Sequence, residues 1–131
     1  MIALDTNVLV RLVTRDDETQ AQRAKAAFDR HAGEPGGLFI ADVVLAELCW
    51  TLARAYQAAR TDIARTVRAL LDNSSIAFES PDAVRAALAT FETGTVDFPD
   101  CLIVAKARHA GCSRVLTFDR RMTALPGVEL P

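Results

Sequence analysis

Short apolar runs alternate with longer amphipathic ones along this chain, and that alternation limits the folds open to it. Residues 2–5, 38–40, 76–78, 115–117 and 128–130 are brief, apolar and rich in β-branched or aromatic side chains, which marks them as strands. Between them the apolar period lengthens to that of a helix. Helices are expected at 8–13, 17–32, 42–56, 62–72, 81–93 and 100–111, with a short helical turn at 120–125. Thr6 and Asn7 are placed to cap the first, and Thr61 and Asp62 the fourth, through side-chain oxygens that accept from free backbone N–H groups. Ser80-Pro81-Asp82 opens the fifth, and Gly111 closes the sixth. Strands joined through helices cannot be hairpins, so the expected architecture is α/β, a parallel sheet with helices on both faces. No repeat, low-complexity segment or linker interrupts it, and residues 1–131 are expected to form one domain.

Four acids fall at particular places in this pattern. Asp5 ends the first strand. Glu47 sits in the apolar helical run 43–50, Asp100 opens the run 101–105, and Asp119 follows the strand at 115–117 by two residues. These segments are expected to be buried, and a buried carboxylate is costly unless it is paired or binds a metal. Each acid also has a plainer reading. Asp5 could be an ordinary turn residue, and Glu47 could pair with an arginine. Asp100 and Asp97 could cap a helix that Pro99 begins, and Asp119 could pair with Arg120 and Arg121. Four plain readings together explain the regularity less well than a carboxylate-lined cation site does. Strand carboxyl ends line the crevice where open α/β sheets bind ligands, so Asp5 and Asp119 are expected to be neighbours. An all-oxygen donor set selects hard ions, Mg²⁺ or Mn²⁺, and phosphodiester hydrolysis is the chemistry such a site serves best.

The remaining composition restricts the setting. The net charge of −2, from 15 basic and 17 acidic residues, gives no strong long-range field, so contacts to a nucleic acid would have to be local. Arg11, Arg15, Arg54, Arg120 and Arg121 lie on segments leading from the acids and are candidates for RNA phosphates, solvated helix faces being the alternative. Trp50 is read as core, and no aromatic stacking platform is apparent. Cys49, Cys101 and Cys112 form no CxxC and read as reduced thiols, and His31 and His109 read as surface or helix-end residues. With no signal peptide and no membrane-length apolar run, a cytoplasmic protein is expected.

The motifs Ile2-Ala3-Leu4-Asp5-Thr6-Asn7-Val8-Leu9, Val44-Leu45-Ala46-Glu47-Leu48-Cys49-Trp50-Thr51-Leu52, Asp97-Phe98-Pro99-Asp100-Cys101-Leu102-Ile103 and Leu116-Thr117-Phe118-Asp119-Arg120 together resemble the PIN domain family, in particular the VapC-type toxins of bacterial toxin–antitoxin pairs. The likeness covers essentially the whole chain. It implies a PIN-like three-layer α/β/α fold with a short central parallel sheet of four to five strands. It implies a Mg²⁺-dependent endoribonuclease whose acids map onto Asp5, Glu47, Asp100 and Asp119, with Asp97 assisting, and Mn²⁺ as a substitute ion. Thr6 and Asn7 match residues that orient the first acid, and Thr117 the usual Ser or Thr near the fourth. A homodimer, an RNA substrate and a cognate antitoxin that lays a tail over the toxin cleft are implied as well.

Other classes fit less well. A phospho-aspartate receiver would need a second acid where Asn7 stands and a lysine after a late strand, but the only lysines are Lys25 and Lys106. A housekeeping RNA-processing nuclease without an antitoxin, or a non-catalytic binding module on the same fold, remain the alternatives.

Overall fold

A computed structural model describes residues 1–131. The chain divides into two compact units, Met1–Pro81 and Asp82–Pro131.

The first unit is built on three parallel strands in the order β1 (Ile2–Ala3), β2 (Leu38–Ile40), β3 (Ile76–Phe78). Two helices fill each crossover: α1 (Thr6–Thr14) and α2 (Glu18–His31) between the first two strands, α3 (Asp42–Arg54) and α4 (Arg60–Asp72) between the next two. Leu38 and Ile40 on the central strand are fully buried. Around them lie Leu4, Leu9, Leu45, Leu48 and Val67, all buried, while α1 packs on α2 and α3, and α3 on α4. Gly37 has to be glycine, since a Cβ there would lie 2.7 Å from the His31 carbonyl. Its absence lets the chain turn tightly into β2.

The helix starts differ in part from those expected. Thr6 and Asn7 are inside the first turn of α1, and Asp5 is its N-cap. The backbone favours this because the Asp5 carboxylate reaches the adjacent Thr6 N–H at 2.8 Å. Thr61 and Asp62 likewise lie inside α4, whose N-cap is Ala59 with no side-chain cap. The chain reverses just before it, at Gln57 with φ of 53° and at the Ala58 N–H bonded to the Leu52 carbonyl, so the helix is already wound at Arg60. The start of α3 is fixed across the unit. Glu79 accepts from the Asp42 N–H at 2.9 Å, and Ser80 donates to the Asp42 carboxylate at 2.7 Å.

The second unit contains α5 (Pro81–Thr93), α6 (Phe98–His109), a parallel pair β4 (Val115–Leu116) and β5 (Val128–Glu129), and a single 3₁₀ turn at Met122–Ala124. Phe91 and Phe98 meet edge to face with ring centroids 5.8 Å apart, both buried. Gly111 follows α6 with φ of +93°, a left-handed stop that glycine adopts without strain. Five strands are therefore present, but they are hydrogen-bonded as three plus two and not as one ladder. Three of them are only two residues long, so each contributes few backbone bonds to any pairing.

Candidate active site

The first unit presents two of the proposed acids. Asp5 is placed by β1, which hangs on β2 through the Ile2 N–H to the Gly37 carbonyl at 2.8 Å and the Leu4 N–H to the Phe39 carbonyl at 2.9 Å. The same carboxylate that caps α1 is exposed to solvent on its far side. Thr6 holds it through its backbone N–H, not through its hydroxyl. The Thr6 Oγ1 is buried and makes no hydrogen bond. Asn7 is exposed. Glu47 projects from the solvent face of α3. The buried stripe of that helix is Val44, Leu45, Leu48, Cys49 and Leu52, while Val43, Glu47, Trp50 and Arg54 share the exposed one.

This overturns two expectations. The acids are not buried: Asp5, Glu47 and Asp119 are exposed and Asp100 is half-buried. Nor is Trp50 core, since it is 57% exposed. The run 43–50 is apolar on both sides of the helix, so helical neighbours alone do not say which side faces inward. The signal that does is the position of Glu47 and Arg54 at helical spacing from Trp50. Cys49 and Cys101 are buried, with burial pushing the Cys49 thiol up to about 12, and Cys112 is exposed.

The second unit presents the other three acids. Asp97 is the N-cap residue of α6, without a side-chain capping bond, and Pro99 and Asp100 occupy the first turn. Asp119 is held in a tight turn. Its N–H donates to Thr117 Oγ1 at 2.9 Å, and its carboxylate accepts from the Arg121 N–H at 2.9 Å. The arginine contact considered for Asp119 is thus to a backbone N–H. Thr117 supports the acid by orienting its main chain.

Desolvation, then the Asp119 and Asp97 charges, raise the Asp100 carboxyl above the usual carboxylate range. The free N–H groups of the first helical turn favour the ionised form, but burial and like charge outweigh them. The sign of the linkage follows. The folded state binds more protons than the unfolded state between the unfolded value of about 3.9 and the raised folded value. Stability of the metal-free protein therefore falls as pH rises through that window. Thermal melting in EDTA should show this fall in wild type and a flatter profile in Asp100→Asn. Parallel profiles would show that Asp100 carries no such strain.

Nowhere are three or more His, Cys, Asp or Glu side chains gathered closely enough to hold a metal ion. The donor chemistry nonetheless suits a hard cation, because Asp97, Asp100 and Asp119 offer only oxygen and a cation would offset the charges that Asp119 and Asp97 place on Asp100. Of the candidate RNA-binding arginines, Arg11 pairs with Asp16 at 3.2 Å and bonds Gln20, and Arg15 pairs with Glu18 at 2.8 Å. Arg54, Arg120 and Arg121 are exposed, and their side chains make no such bonds.

Residues 2–128 match the PIN domain. The chain belongs to the PIN domain family. Its parallel α/β build, with six helices and short strands, is the PIN-like architecture expected above. A VapC ribonuclease from Aquifex aeolicus (strain VF5) is 28% identical over 125 residues, which cover 95% of this chain and 92% of that one. A toxin–antitoxin complex from Klebsiella pneumoniae aligns over 100% of this PIN domain chain and 98% of its own, at 24% identity and a TM-score of 0.38.

Proposed function

We propose that this PIN domain protein is a Mg²⁺-dependent endoribonuclease acting as the toxin of a type II toxin–antitoxin pair, cytoplasmic, and restraining growth by cutting RNA. The observation that carries the reading is Asp100, a half-buried carboxylate at the start of α6 destabilised by two neighbouring acids. It stands in a chain that aligns almost end to end with a VapC ribonuclease. No helix is long and apolar enough to cross a membrane, which is compatible with a cytoplasmic toxin.

The proposed ligands are Asp5, Glu47, Asp100 and Asp119, with Asp97 assisting. Residues 1–131 are proposed to be a single nuclease domain. A divalent cation held by these carboxylates would supply a water of lowered pKa and charge stabilisation for the leaving oxygen. The chain's own part is to hold the carboxylates ready. Asp5 is pinned by the Thr6 N–H and Asp119 by the Arg121 N–H, so neither has to be ordered when substrate arrives. No histidine is needed as a base.

The test is to incubate the purified protein with total RNA, with Mg²⁺ or with EDTA, and to map the cut ends. Discrete cuts that require Mg²⁺ are expected. Their absence would favour a non-catalytic binding module. A small gene for an antitoxin beside this one would separate the toxin from a housekeeping nuclease. For an antitoxin tail, the open groove between α1 and α2, about 300 Å³, offers Val8, Ala24 and Ala27 as an apolar floor and Arg11 and Arg23 as a cationic rim.

A homodimer is part of the proposal. Most large apolar side chains of α3 and α4 are covered, Leu45, Leu48, Leu52, Ile63 and Val67 among them. Val43 and Trp50 remain outside on α3, and a second copy is their proposed cover. Light scattering at tens of micromolar should give about twice the chain mass of 14.2 kDa. Trp50→Ala should move it toward a single mass. A monomeric wild type would remove the dimer and leave the nuclease reading intact.

A further inference from the structure

Phe118 is 88% exposed, the most exposed large apolar residue in the protein. A lone exposed ring is ordinary on a surface, but this one is not loosely held. Its backbone is spanned by the bond from the Asp119 N–H to Thr117 Oγ1, and the bond from the Arg121 N–H to the Asp119 carboxylate closes the next turn, around Arg120. The residues that follow are two arginines without ion-pair partners. Arg120 and Arg121, with Thr95, Thr123 and Ala124, line an open pocket of about 510 Å³. The Thr123 hydroxyl donates to the Arg120 carbonyl at 2.6 Å, which ties the pocket wall to the same turn.

We propose that Phe118, Arg120 and Arg121 form a nucleotide subsite for single-stranded RNA, in which the ring stacks on an unpaired base and the guanidiniums take the adjoining phosphates. The inference rests on the ribonuclease reading and names its substrate class. An apolar face beside unpaired cations is what one nucleotide of a single strand presents a need for: a π-face to cover and a phosphate to neutralise. A protein interface would call for a wider apolar surround. Apart from Leu116, the exposed neighbours of Phe118 are charged or polar: Asp119, Arg120, Arg121 and Thr123. The acids Asp97, Asp100 and Asp119 would repel an RNA backbone, and these two arginines are the local charge of opposite sign on the same turn. Stacking is tolerant of base identity and needs a base out of its helix. The subsite would therefore select loops, bulges and ends over duplex, and would do little to select sequence.

The test uses a fluorescein-labelled single-stranded RNA octamer of mixed sequence and the same strand annealed to its complement, with the full-length protein in EDTA. Fluorescence anisotropy should show wild type preferring the single strand. Phe118→Ala should weaken single-strand binding by roughly 5- to 150-fold, with little change for duplex. Phe118→Trp should keep the affinity, whereas Phe118→Leu, which retains bulk without a ring face, should fall with alanine. Replacing Arg120 and Arg121 together by alanine should reduce the slope of log affinity against log salt by about 0.7 per charge. Melting temperatures of the Phe118 variants should match wild type, since so exposed a ring contributes little to the core. Undiminished single-strand binding by Phe118→Ala, in a protein whose wild type binds and cuts RNA, overturns the subsite and leaves the nuclease standing. Loss of the dimer in Phe118→Ala, seen by light scattering, would assign the ring to a protein interface and overturn it too. A wild type that neither binds nor cuts RNA would bring down both readings.

Discussion

Asp100→Asn should leave a folded protein that no longer cuts RNA. The substitution keeps the shape of the side chain and one oxygen but removes the charge that makes it a cation ligand. Replacing groups that merely support a metal ligand typically costs 10–100-fold in affinity or activity. Loss of a proposed ligand should exceed that range. The fold should not suffer, because Asp100 is held at an energetic disadvantage by burial and by Asp119 and Asp97. An amide at this place removes the like-charge repulsion. The comparison is cleavage of total RNA at saturating Mg²⁺, alongside melting curves in EDTA. Wild-type cleavage by the mutant would falsify the assignment of Asp100 to the cation site. A mutant that is inactive because it has unfolded would show in the melting curve.

The second large effect is expected in living cells. Expression of the wild-type chain in bacteria without its antitoxin should arrest growth, and Glu47→Gln should restore it at the same protein level. Glu47 is suited to this test because it is exposed on α3 and makes no ion pair that the fold depends on. Surface substitutions of this kind usually change stability by no more than about 0.5 kcal/mol. Growth curves and immunoblots of the two strains decide the matter. If arrest persists with Glu47→Gln, the harm arises from something other than catalysis.

Much of this structure could be read from local chemistry, and its limits are local as well. The strands Leu38–Ile40 and Ile76–Phe78 stand where the apolar runs placed them, since Gly33 to Gly37 and Asn73 to Ser75 leave little freedom in where they begin. Asp17 caps α2 through the Gln20 N–H at 3.0 Å, at the start of the helix expected over 17–32. The misplaced features depend on what lies elsewhere in the chain. The cap of α1 passed from Thr6 to Asp5 because the first strand ends at Ala3, two residues short of the expected 2–5, and leaves the Asp5 carboxylate free to accept from the Thr6 N–H. The orientation of α3 could not be settled by an apolar run that wraps the helix. It took the packing of Leu45, Leu48 and Leu52 into the first unit to turn Glu47 and Trp50 outward. The pairing of five strands as three plus two is a matter of long-range hydrogen bonds, to which composition is blind. For the candidate site, the exposure of the acids was not legible: Asp5, Glu47 and Asp119 face solvent and Asp100 is half-buried, because the strand ends and the outer side of α3 are open.

The bond from Asp5 to the Thr6 N–H bears on how a population of cells would escape this protein. Among survivors of forced expression, substitutions at Glu47 should appear as abundant, silent protein. Substitutions at Asp5 should divide in two. Asparagine keeps the helix cap, so those cells should hold normal amounts of an inert chain. Alanine or valine gives up the cap, at a cost of about 1 kcal/mol, and those chains should be scarcer through faster turnover. On the proposed reading one carboxylate would link the evolutionary fate of the activity to that of the protein's abundance, and the spectrum of alleles recovered at a single codon would display the link.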